Sequence, residues 1–435
     1  MRVSTVDGLT ARRLGIPEPL RRPAVEAAQL ASLRRTIVQA VEKSSWHGER
    51  LAGIDPGLLR TRADLARLPL MDSADLAACG QRMLCVPQGE VARIVTLQTS
   101  GSTGAPKRLH FTRADLDGTV DFFLHGMLSL VDSSDRVLAL LQYSQPDSTG
   151  DLLIRALAGE GIRCAGRWPP DEAGTLAALI LREGYSCVAG LPQHLLALAS
   201  TLPFGQVRTM LLCSDYAAPA LRSRIEESCG CETFLHYGTT ETGLGGGVEC
   251  AAHDGCHLRE SDLLVEIVDP ESGVPVPEDE PGEVVVTTLG REAMPLIRYR
   301  TGDMARLTTR PCLCGGITAR LYDIAGRGRT CVLRGGFRVT SRELDDTVFG
   351  VEGLLDYRAT LDKKDGRERL AIEFLATAGH DHWEREVTGA LLRVPAVAVA
   401  VELGTLALGP MRRVDAFAPS HTIKRSICDQ RGSTP

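Results

Sequence analysis

The sequence predicts an α/β protein with a large N-terminal part and a small C-terminal α+β part. Three observations lead to this prediction. Short apolar strands alternate with helical segments up to about residue 258, as in a largely parallel sheet. Short strands separated by turns follow and indicate a mostly antiparallel β unit. A new alternation of helices and strands begins near residue 330, and a chain of 435 residues is long enough for two or three subdomains.

The first half of the chain supplies the alternating elements. Apolar residues recur at helical spacing over residues 23–44, which predicts an amphipathic helix. Asp72 or Ser73 is suited to cap a short helix. The predicted strands are 93–97, 136–141, 187–191, 209–213 and 233–235. Four helices are predicted after strand 93–97, at 151–158, 176–181, 193–199 and 218–228.

The second half carries the β unit and the C-terminal part. The predicted strands of the β unit are 264–268, 283–288 and 304–307. The elements predicted after it are a strand at 331–333, a helix at 342–349 and strands at 370–374 and 397–402. Two glycines flank Arg327 within residues 326–329, and we place the domain boundary there. It divides the chain into an N-terminal domain, 1–327, and a C-terminal domain, 328–435.

Composition excludes several classes of protein. A net charge of −6, only 4% aromatic residues and the lack of a basic stripe argue against a nucleic-acid partner. The first 30 residues carry no signal sequence, and no apolar run reaches the roughly 18 residues that a membrane span needs. We therefore expect a cytoplasmic protein without membrane contact. Its 13 cysteines are then expected to be buried or metal-bound rather than disulfide-paired.

A loop of small and hydroxyl residues follows the first predicted strand and ends in Pro106 and Lys107. Small residues let the backbone approach a polyphosphate, hydroxyls and amides donate hydrogen bonds, and Lys107 adds charge. The alternative is a flexible Gly/Ser turn, but the preceding strand and the terminal lysine favour phosphate binding. The candidate contacts are Thr99, Ser100, Gly101, Ser102, Thr103, Gly104 and Lys107.

Two later motifs have residue types suited to a nucleotide. In the motif 236–242, Tyr237 offers a flat face to a purine, Gly238 permits a tight turn, and Glu241 is suited to hold Mg²⁺ on phosphate oxygens. In the motif 299–303, Asp303 stands in what we interpret as a turn and could accept both ribose hydroxyls. A polar loop and a plain turn are the alternatives for these motifs.

Taken in their order along the chain, the loop ending in Lys107 and the motifs 236–242 and 299–303 resemble those of the adenylate-forming superfamily of acyl-CoA synthetases, adenylation domains and luciferases. The closest resemblance is to the phenylacetate–CoA ligase branch, and it is carried by residues 65–69, 266–300 and 333–336. The resemblance covers nearly the whole chain. It implies a large adenylate-forming domain, built from α/β subdomains and a β-barrel-like unit, followed by a small mobile domain.

The resemblance also implies residue roles and a two-step reaction. A substrate carboxylate attacks the α-phosphorus of ATP and expels pyrophosphate, and the acyl-adenylate then reacts with a thiol or an amine. Residues 99–104 and Lys107 would grip the β- and γ-phosphates. The other implied contacts are Thr240 with the α-phosphate, Glu241 with Mg²⁺, Tyr237, Ser214 and Asp215 with adenine, Asp303 with ribose, and Arg327 with the nucleotide near the hinge; Gly238 belongs to the same nucleotide site.

Two departures from the family pattern stand near the hinge and the C-terminus. Arg329 and Thr330 replace the usual acidic hinge residues. The family lysine that bridges the substrate carboxylate and ATP is matched by Thr422 in an ungapped comparison. Lys424, two residues later, is the catalytic candidate, and it would need a local shift to act; a solvated surface lysine is the alternative.

Cys250, His257, Cys312 and Cys314 form a predicted structural zinc site. Thiolates and imidazole are the ligands that Zn²⁺ takes in closed tetrahedral sites, and similar sets occur in some proteins of the resembled branch. His253 and Cys256 are possible substitutes within the same loop. The alternative is a group of buried cysteines beside a surface histidine.

The leading functional prediction is an AMP-forming ligase that activates a carboxylic acid, aromatic or heteroaromatic by resemblance, and transfers it to coenzyme A. A second hypothesis is an adenylating enzyme of a secondary-metabolite pathway that transfers to a carrier protein or an amine. A third is an adenylate-binding protein that has lost catalysis. The sequence does not identify the acid, whose pocket we expect around Phe122, Tyr143, Gly190 and His236, and a homodimer is left open.

Overall fold

A computed structural model describes residues 4–97, 106–325, 330–364, 366–377, 382–417 and 425–432 of the protein. Several predictions fall outside the described residues. They are the phosphate-loop contacts at 99–104, the domain boundary at 326–329 with Arg327, and the C-terminal residues Thr422 and Lys424. Among the described residues no helix is both long and apolar enough to cross a membrane.

Some helices begin directly after a residue whose side chain caps the first turn. The Asp72 carboxylate accepts hydrogen bonds from the backbone amides of Ala74 and Asp75, as its predicted role as an N-cap requires. The helices are α1 Thr5–Leu14, α2 Arg22–Lys43, α3 Ser45–Arg50, α4 Ser73–Cys79, α5 Arg113–Met127, α6 Thr149–Ala158, α7 Ala173–Glu183, α8 Pro192–Ala199, α9 Pro219–Cys229, α10 Ser341–Val348, α11 Trp383–Leu392 and α12 Pro395–Glu402. Short 3₁₀ turns span Pro56–Leu58, Arg62–Arg67, Gly80–Met83 and Gln88–Glu90.

The strands predicted for the N-terminal part are all present, and five further strands were not predicted. In chain order the strands are β1 Arg93–Leu97, β2 Lys107–Phe111, β3 Arg136–Ala139, β4 Arg163–Gly166, β5 Cys187–Gly190, β6 Thr209–Leu212, β7 Glu232–Tyr237, β8 Gly247–Glu249, β9 Cys256–Leu258, β10 Leu263–Val268, β11 Gly282–Thr288, β12 Tyr299–Thr308 and β13 Arg320–Ala325. The five that were not predicted are β2, β4, β8, β9 and β13. The later strands are β14 Cys331–Val332, β15 Arg338–Val339, β16 Leu354–Lys364, β17 Arg367–Ala376, β18 Leu406–Arg413 and β19 Cys428–Asp429.

One large sheet carries both predicted β patterns, in the order β10-β11-β12-β13-β9-β8-β7-β6-β5-β3-β4. Strands β3 to β7 are parallel to one another, and β7 to β13 pair antiparallel. The carboxyl ends of the parallel strands therefore lie along one edge, where open α/β sheets bind ligands. A separate antiparallel hairpin, β1–β2, brackets the predicted phosphate loop.

The C-terminal part is an α+β unit that packs on the N-terminal part. Its sheet has the order β18-β17-β16-β19, with α10, α11 and α12 beside it. Leu344 and Phe349 belong to the same buried core cluster as Leu195 of α8 and Leu221 of α9. The Arg224 guanidinium of α9 also donates to the backbone carbonyl of Phe349, at 3.1 Å.

Two predictions of secondary structure are wrong. Residues 397–402 form the end of helix α12 rather than a strand, because Pro395 starts a helix and Val397 and Ala400, three residues apart, are both fully buried. Tertiary packing overrides the strand preference of the valines there. Residues 299–303 lie within β12 rather than in a turn. Gly302 has a φ of 77°, a turn-like backbone conformation inside an irregular strand.

Candidate active site and metal cluster

Three segments distant in sequence meet through buried polar side chains. Lys107 begins β2, Glu241 lies in the loop after β7, and Tyr299 begins β12. The Lys107 ammonium forms an ion pair with the Glu241 carboxylate, and both side chains are almost fully buried. The Tyr299 hydroxyl donates to the same carboxylate oxygen, Oε1, at 2.9 Å. We call these three residues the Lys–Glu–Tyr triad.

A second polar contact joins the two predicted nucleotide motifs. Tyr237 is the last residue of β7, and its hydroxyl lies 3.2 Å from Oδ2 of Asp303 in β12. Asp303 is held in turn by its own backbone, because its amide donates to the Thr301 hydroxyl at 3.0 Å. Both side chains are buried. The structure thus brings together two residues predicted to contact adenine and ribose.

The loop after β7 is closed by hydrogen bonds among its threonines. The Thr242 hydroxyl donates to the Thr239 carbonyl at 2.9 Å, and the Thr239 amide donates to that hydroxyl at 3.0 Å. A Cβ at Gly238 would lie 2.6 Å from the Leu244 carbonyl oxygen, so only glycine fits there. This tight loop presents Thr240, which stays partly exposed, next to the buried Glu241.

Ser214 and Asp215 follow β6 at the same edge of the sheet. Ser214 has a φ of 71°, in the left-handed region that non-glycine residues seldom adopt. The Asp215 carboxylate accepts a hydrogen bond from the backbone amide of Arg425 at 3.0 Å. The segment predicted to line the adenine pocket is therefore in contact with the C-terminal part of the chain.

Arg425 is a buried residue that we did not select from the sequence. Its guanidinium donates to Gln193 Oε1 at 3.0 Å, to the Tyr216 carbonyl at 2.8 Å and to Asp345 Oδ1 at 3.1 Å. Gln193 and Tyr216 belong to the N-terminal part, whereas Asp345 lies on α10. The only available signal was its position directly after Lys424 in the C-terminal motif.

Tyr299 is a second residue that the sequence does not single out, although it stands in the motif 299–303. An aspartate in a turn has an evident use, whereas a tyrosine at a strand start is usually a packing residue. Its complete burial agrees with packing. The hydrogen bond to Glu241 depends on the pairing of distant segments, and no local pattern reports it.

Of the residues expected around the acyl pocket, Phe122 and His236 come together. Their ring centroids lie 6.4 Å apart, and Phe123 is 6.2 Å from the same histidine. Burial lowers the pKa of His236 to about 4, so its ring is neutral near pH 7. Gly190 instead faces Leu140, because a Cβ added at Gly190 would lie 3.1 Å from the Cβ of Leu140.

The predicted metal ligands form a compact buried cluster. One ligand atom each from Cys250, His257, Cys312 and Cys314 lies within 4.8 Å of every other. The sulfurs of Cys250 and Cys312 are 3.7 Å apart, and the Cys314 sulfur is 3.5 Å from His257 Nε2. A tetrahedral zinc ion with Zn–S bonds of about 2.3 Å would place two sulfurs roughly 3.8 Å apart. The spacing therefore fits a tetrahedral metal site.

Surrounding groups prepare these ligands for a metal. The Thr318 hydroxyl donates to Asp7 Oδ1 at 2.7 Å and lies 2.9 Å from His257 Nδ1. That hydroxyl must therefore accept from Nδ1–H, which leaves Nε2 as the free ligand atom. Backbone amides also approach the three sulfurs; they are Ala252 N to Cys250 at 3.5 Å, Cys314 N to Cys312 at 3.5 Å, and Gly316 N to Cys314 at 3.3 Å.

The two substitute ligands are engaged elsewhere. His253 Nε2 lies 2.9 Å from a carboxylate oxygen of Glu232. The Cys256 thiol donates to the Leu235 carbonyl at 3.6 Å. The structure therefore separates these two residues from the four-residue cluster.

Comparisons with known proteins show which enzymes this chain resembles. The model of the AMP-binding enzyme family matches residues 83–291. A phenylacetate–coenzyme A ligase of Thermus thermophilus is 28% identical over 421 residues, which cover 87% of this chain and 89% of that protein. The chain is therefore similar to enzymes of the adenylate-forming superfamily. A second phenylacetate–coenzyme A ligase, from Escherichia coli K12, is 26% identical over 364 residues and covers 80% of this chain and 82% of its own.

A solved structure shows that this adenylate-forming fold extends over the whole chain. The 2-hydroxyisobutyryl-CoA ligase in its postadenylation state superposes with a TM-score of 0.77 at 20% identity, covering 95% of this chain and 94% of its own. The match to the AMP-binding family includes Lys107, Glu241, Cys250 and His257. Asp303, Cys312 and Cys314 lie outside the matched residues.

Proposed function

We propose that this adenylate-forming protein is an AMP-forming acid–thiol ligase, which converts a carboxylic acid and ATP to an acyl-adenylate and transfers the acyl group to coenzyme A. The convergence of Lys107, Glu241 and Tyr299, beside Tyr237 and Asp303, carries the proposal. These residues come from separate segments in the order expected for the superfamily. The phenylacetate–coenzyme A ligases that align with most of the chain support the same reaction.

The residues of the site suggest how the first step proceeds. Glu241 offers carboxylate oxygens, the ligands that Mg²⁺ prefers, and it is the residue that would hold the ion. When bound, Mg²⁺ supplies positive charge to the phosphate oxygens. Lys107 and the loop 99–104 would grip the β- and γ-phosphates, and Thr240 would contact the α-phosphate. Positioning and charge neutralisation then carry an in-line displacement without a protein nucleophile.

The nucleoside would be held by the neighbouring residues. We assign adenine to Tyr237, Gly238, Ser214 and Asp215, and ribose to Asp303. The Asp303 carboxylate has a tyrosine hydroxyl beside it, so a ribose diol would join an existing polar contact. Arg327 and Lys424 remain proposed contacts from the superfamily pattern. We also propose that residues 328–435 form the mobile domain.

We propose that the acid activated by the ligase is an aromatic or heteroaromatic compound. The relatives that cover most of the chain are phenylacetate–coenzyme A ligases. Phe122, Phe123 and the neutral ring of His236 form an aromatic group next to the nucleotide motif. Such rings favour a flat apolar substrate over a highly charged one.

Transfer to a carrier protein or an amine is the second candidate, and two observations favour it. A segment of the pyochelin synthetase PchE of Pseudomonas aeruginosa PAO1 is 30% identical over 252 residues, which cover 56% of this chain and 16% of that protein. Thr422 also stands in place of the family lysine. Both observations are compatible with a different acyl acceptor.

We further propose that Cys250, His257, Cys312 and Cys314 hold a structural Zn²⁺. The spacing of the ligand atoms, the oriented His257 ring and the amides directed at the sulfurs support it. Four protein ligands leave no open coordination position, so the ion would stabilise the β unit rather than act in the reaction. All 13 cysteines lie among the described residues and none of them is in a disulfide, which supports a reducing, cytoplasmic location. A homodimer stays a prediction.

ATP–pyrophosphate exchange over a panel of carboxylic acids tests the proposed function. We expect exchange with at least one aromatic acid, and its loss in Glu241→Ala, because the buried carboxylate next to Lys107 would be gone. Glu402→Ala, at an exposed position at the end of α12, is the control and should exchange like the wild type. Exchange that is absent with every acid, or that survives in Glu241→Ala, would contradict the proposal.

Product analysis separates the acyl acceptors. The protein is incubated with ATP, the accepted acid and coenzyme A, a carrier protein or an amine in separate reactions. An acyl-CoA product is expected. A product formed only with the carrier protein or the amine would replace the leading proposal with the second one.

A further inference from the structure

Tyr299 occupies a special place in the Lys–Glu–Tyr triad, because its hydroxyl contacts both charged partners. It donates to Glu241 Oε1 at 2.9 Å, and the Lys107 ammonium lies 3.4 Å from the hydroxyl oxygen as a donor to it. A phenol can donate one hydrogen bond and accept another, so both contacts exist together. The shorter contact, to the carboxylate, is the stronger of the two.

We propose that Tyr299 is a positioning residue, which holds the Glu241 carboxylate in its metal-binding orientation when Lys107 turns to the phosphates of ATP. This inference rests on the proposed function, since it assigns Mg²⁺ and ATP to the same site. Tyr299 itself touches neither the metal nor the reacting atoms. It acts through Glu241.

Charge balance explains why such a residue is needed. Without nucleotide, Lys107 and Glu241 neutralise each other in a buried ion pair. Bound ATP carries several negative charges, which compete for the lysine ammonium. Glu241 would then lose its ion pair with Lys107 at the moment at which it has to face a metal ion. The hydrogen bond from Tyr299 does not depend on Lys107 and would keep Oε1 in place.

The backbone around Tyr299 is held firmly enough for this task. Arg298 has a φ of 50°, although it is not a glycine, and such a conformation persists only when the surroundings enforce it. Its guanidinium donates to Glu266 at 3.1 Å. Its carbonyl accepts from the Met71 amide at 3.0 Å, and the Met71 carbonyl accepts from the Arg300 amide at 2.8 Å. Backbone bonds therefore anchor both neighbours of Tyr299.

A packing role alone predicts a different result from a positioning role. A tyrosine that only fills space would affect stability when its hydroxyl is removed, without any link to the metal. Tyr322 provides the matched control, since its hydroxyl donates to Asp279 Oδ1 at 2.7 Å in the β unit. Tyr322→Phe removes a tyrosine–carboxylate hydrogen bond of similar length, and neither of its partners belongs to the triad.

Calorimetric titration of the whole protein with ATP, in excess Mg²⁺ and in EDTA, measures how much the metal strengthens ATP binding. We expect Tyr299→Phe to reduce this metal-dependent gain by about tenfold, the effect of a hydrogen bond to a charged acceptor. Tyr322→Phe should leave the gain unchanged. In a Glu241→Gln background, Tyr299→Phe should have no further effect, because the two residues act through one contact. Melting temperatures establish that each variant is folded.

The outcomes separate the positioning role from the proposed function. If wild-type protein binds Mg·ATP and Tyr299→Phe weakens ATP binding equally with and without metal, the positioning role is wrong and the function stands. The same holds if the metal-dependent gain is unaltered. If wild-type protein does not bind ATP under either condition, the proposed function fails and this inference fails with it.

Discussion

Replacement of Arg425 by methionine tests how the C-terminal part is attached to the rest of the molecule. The arginine side chain is 9% exposed, and that of its partner Asp345 is 3% exposed. Breaking a buried ion pair by removing one partner costs about 3–5 kcal/mol, because the other charge stays buried without compensation. The guanidinium also donates to Gln193 and to the Tyr216 carbonyl, which would lose those bonds.

The expected loss in the free energy of unfolding depends on pH, because protonation of Asp345 removes the buried negative charge that Arg425 would otherwise compensate. Burial raises the folded-state pKa of Asp345 from 3.8 to about 6, although Arg425 opposes the shift. A carboxyl group with a raised folded pKa contributes stability below its unfolded pKa and loses it as the pH rises through the folded pKa. Without the arginine, the pKa of Asp345 rises further. The variant should therefore be destabilised by about 3 kcal/mol at pH 8 and by much less at pH 5.

Urea denaturation at pH 5 and pH 8 measures this difference in the free energy of unfolding. Arg412→Met is the control, because its pair with Glu373 is solvent-exposed on both sides and exposed pairs contribute little. It should change the free energy by less than about 1 kcal/mol at either pH. An equal loss for Arg425→Met at both pH values would refute the reasoning, since the cost would then not come from a buried carboxylate.

Two further predictions concern the metal cluster and the tight loop after β7. Removal of the proposed zinc by a chelator should lower the melting temperature by several degrees, and Cys314→Ser should reproduce this effect, because the metal would join segments 250–257 and 312–314. Metal analysis should give one zinc per chain; an absent metal together with an unchanged melting temperature would contradict the site. Gly238→Ala should reduce exchange activity about 100-fold, because its Cβ would lie 2.6 Å from the Leu244 carbonyl and displace the loop. Wild-type exchange in Gly238→Ala would show that the loop tolerates the shift.

Much of the site could be predicted from local sequence, because several of its parts depend on residue type alone. The lysine at the end of the glycine-rich segment, the tyrosine and glutamate after β7 and the aspartate of β12 all have an evident chemical use. The structure places Lys107 against Glu241 and Tyr237 against Asp303, whereas their roles toward a nucleotide stay predictions. The four proposed metal ligands were likewise selected from the preference of zinc for thiolate and imidazole, and the structure brings them together.

Other features escaped sequence reasoning because they depend on long-range packing. The valines before Glu402 favour a strand locally, but burial of Val397 and Ala400 against the C-terminal core makes the segment helical. Tyr299 and Arg425 are unremarkable in their local context. Their partners lie 58 residues away in Glu241 and 80 residues away in Asp345, and no local periodicity reports such distances.

The amino-acid sequence by itself determined most of the elements, the order of the motifs and the residue types suited to phosphate and metal, because propensity, capping and ligand chemistry act over a few residues. Tertiary structure alone decided that Tyr299 meets Glu241 and that Arg425 joins Asp345 to the N-terminal part. The physical reason is burial. Removing these charges from water makes each partner indispensable to the other, and only the complete fold brings the partners within hydrogen-bonding distance.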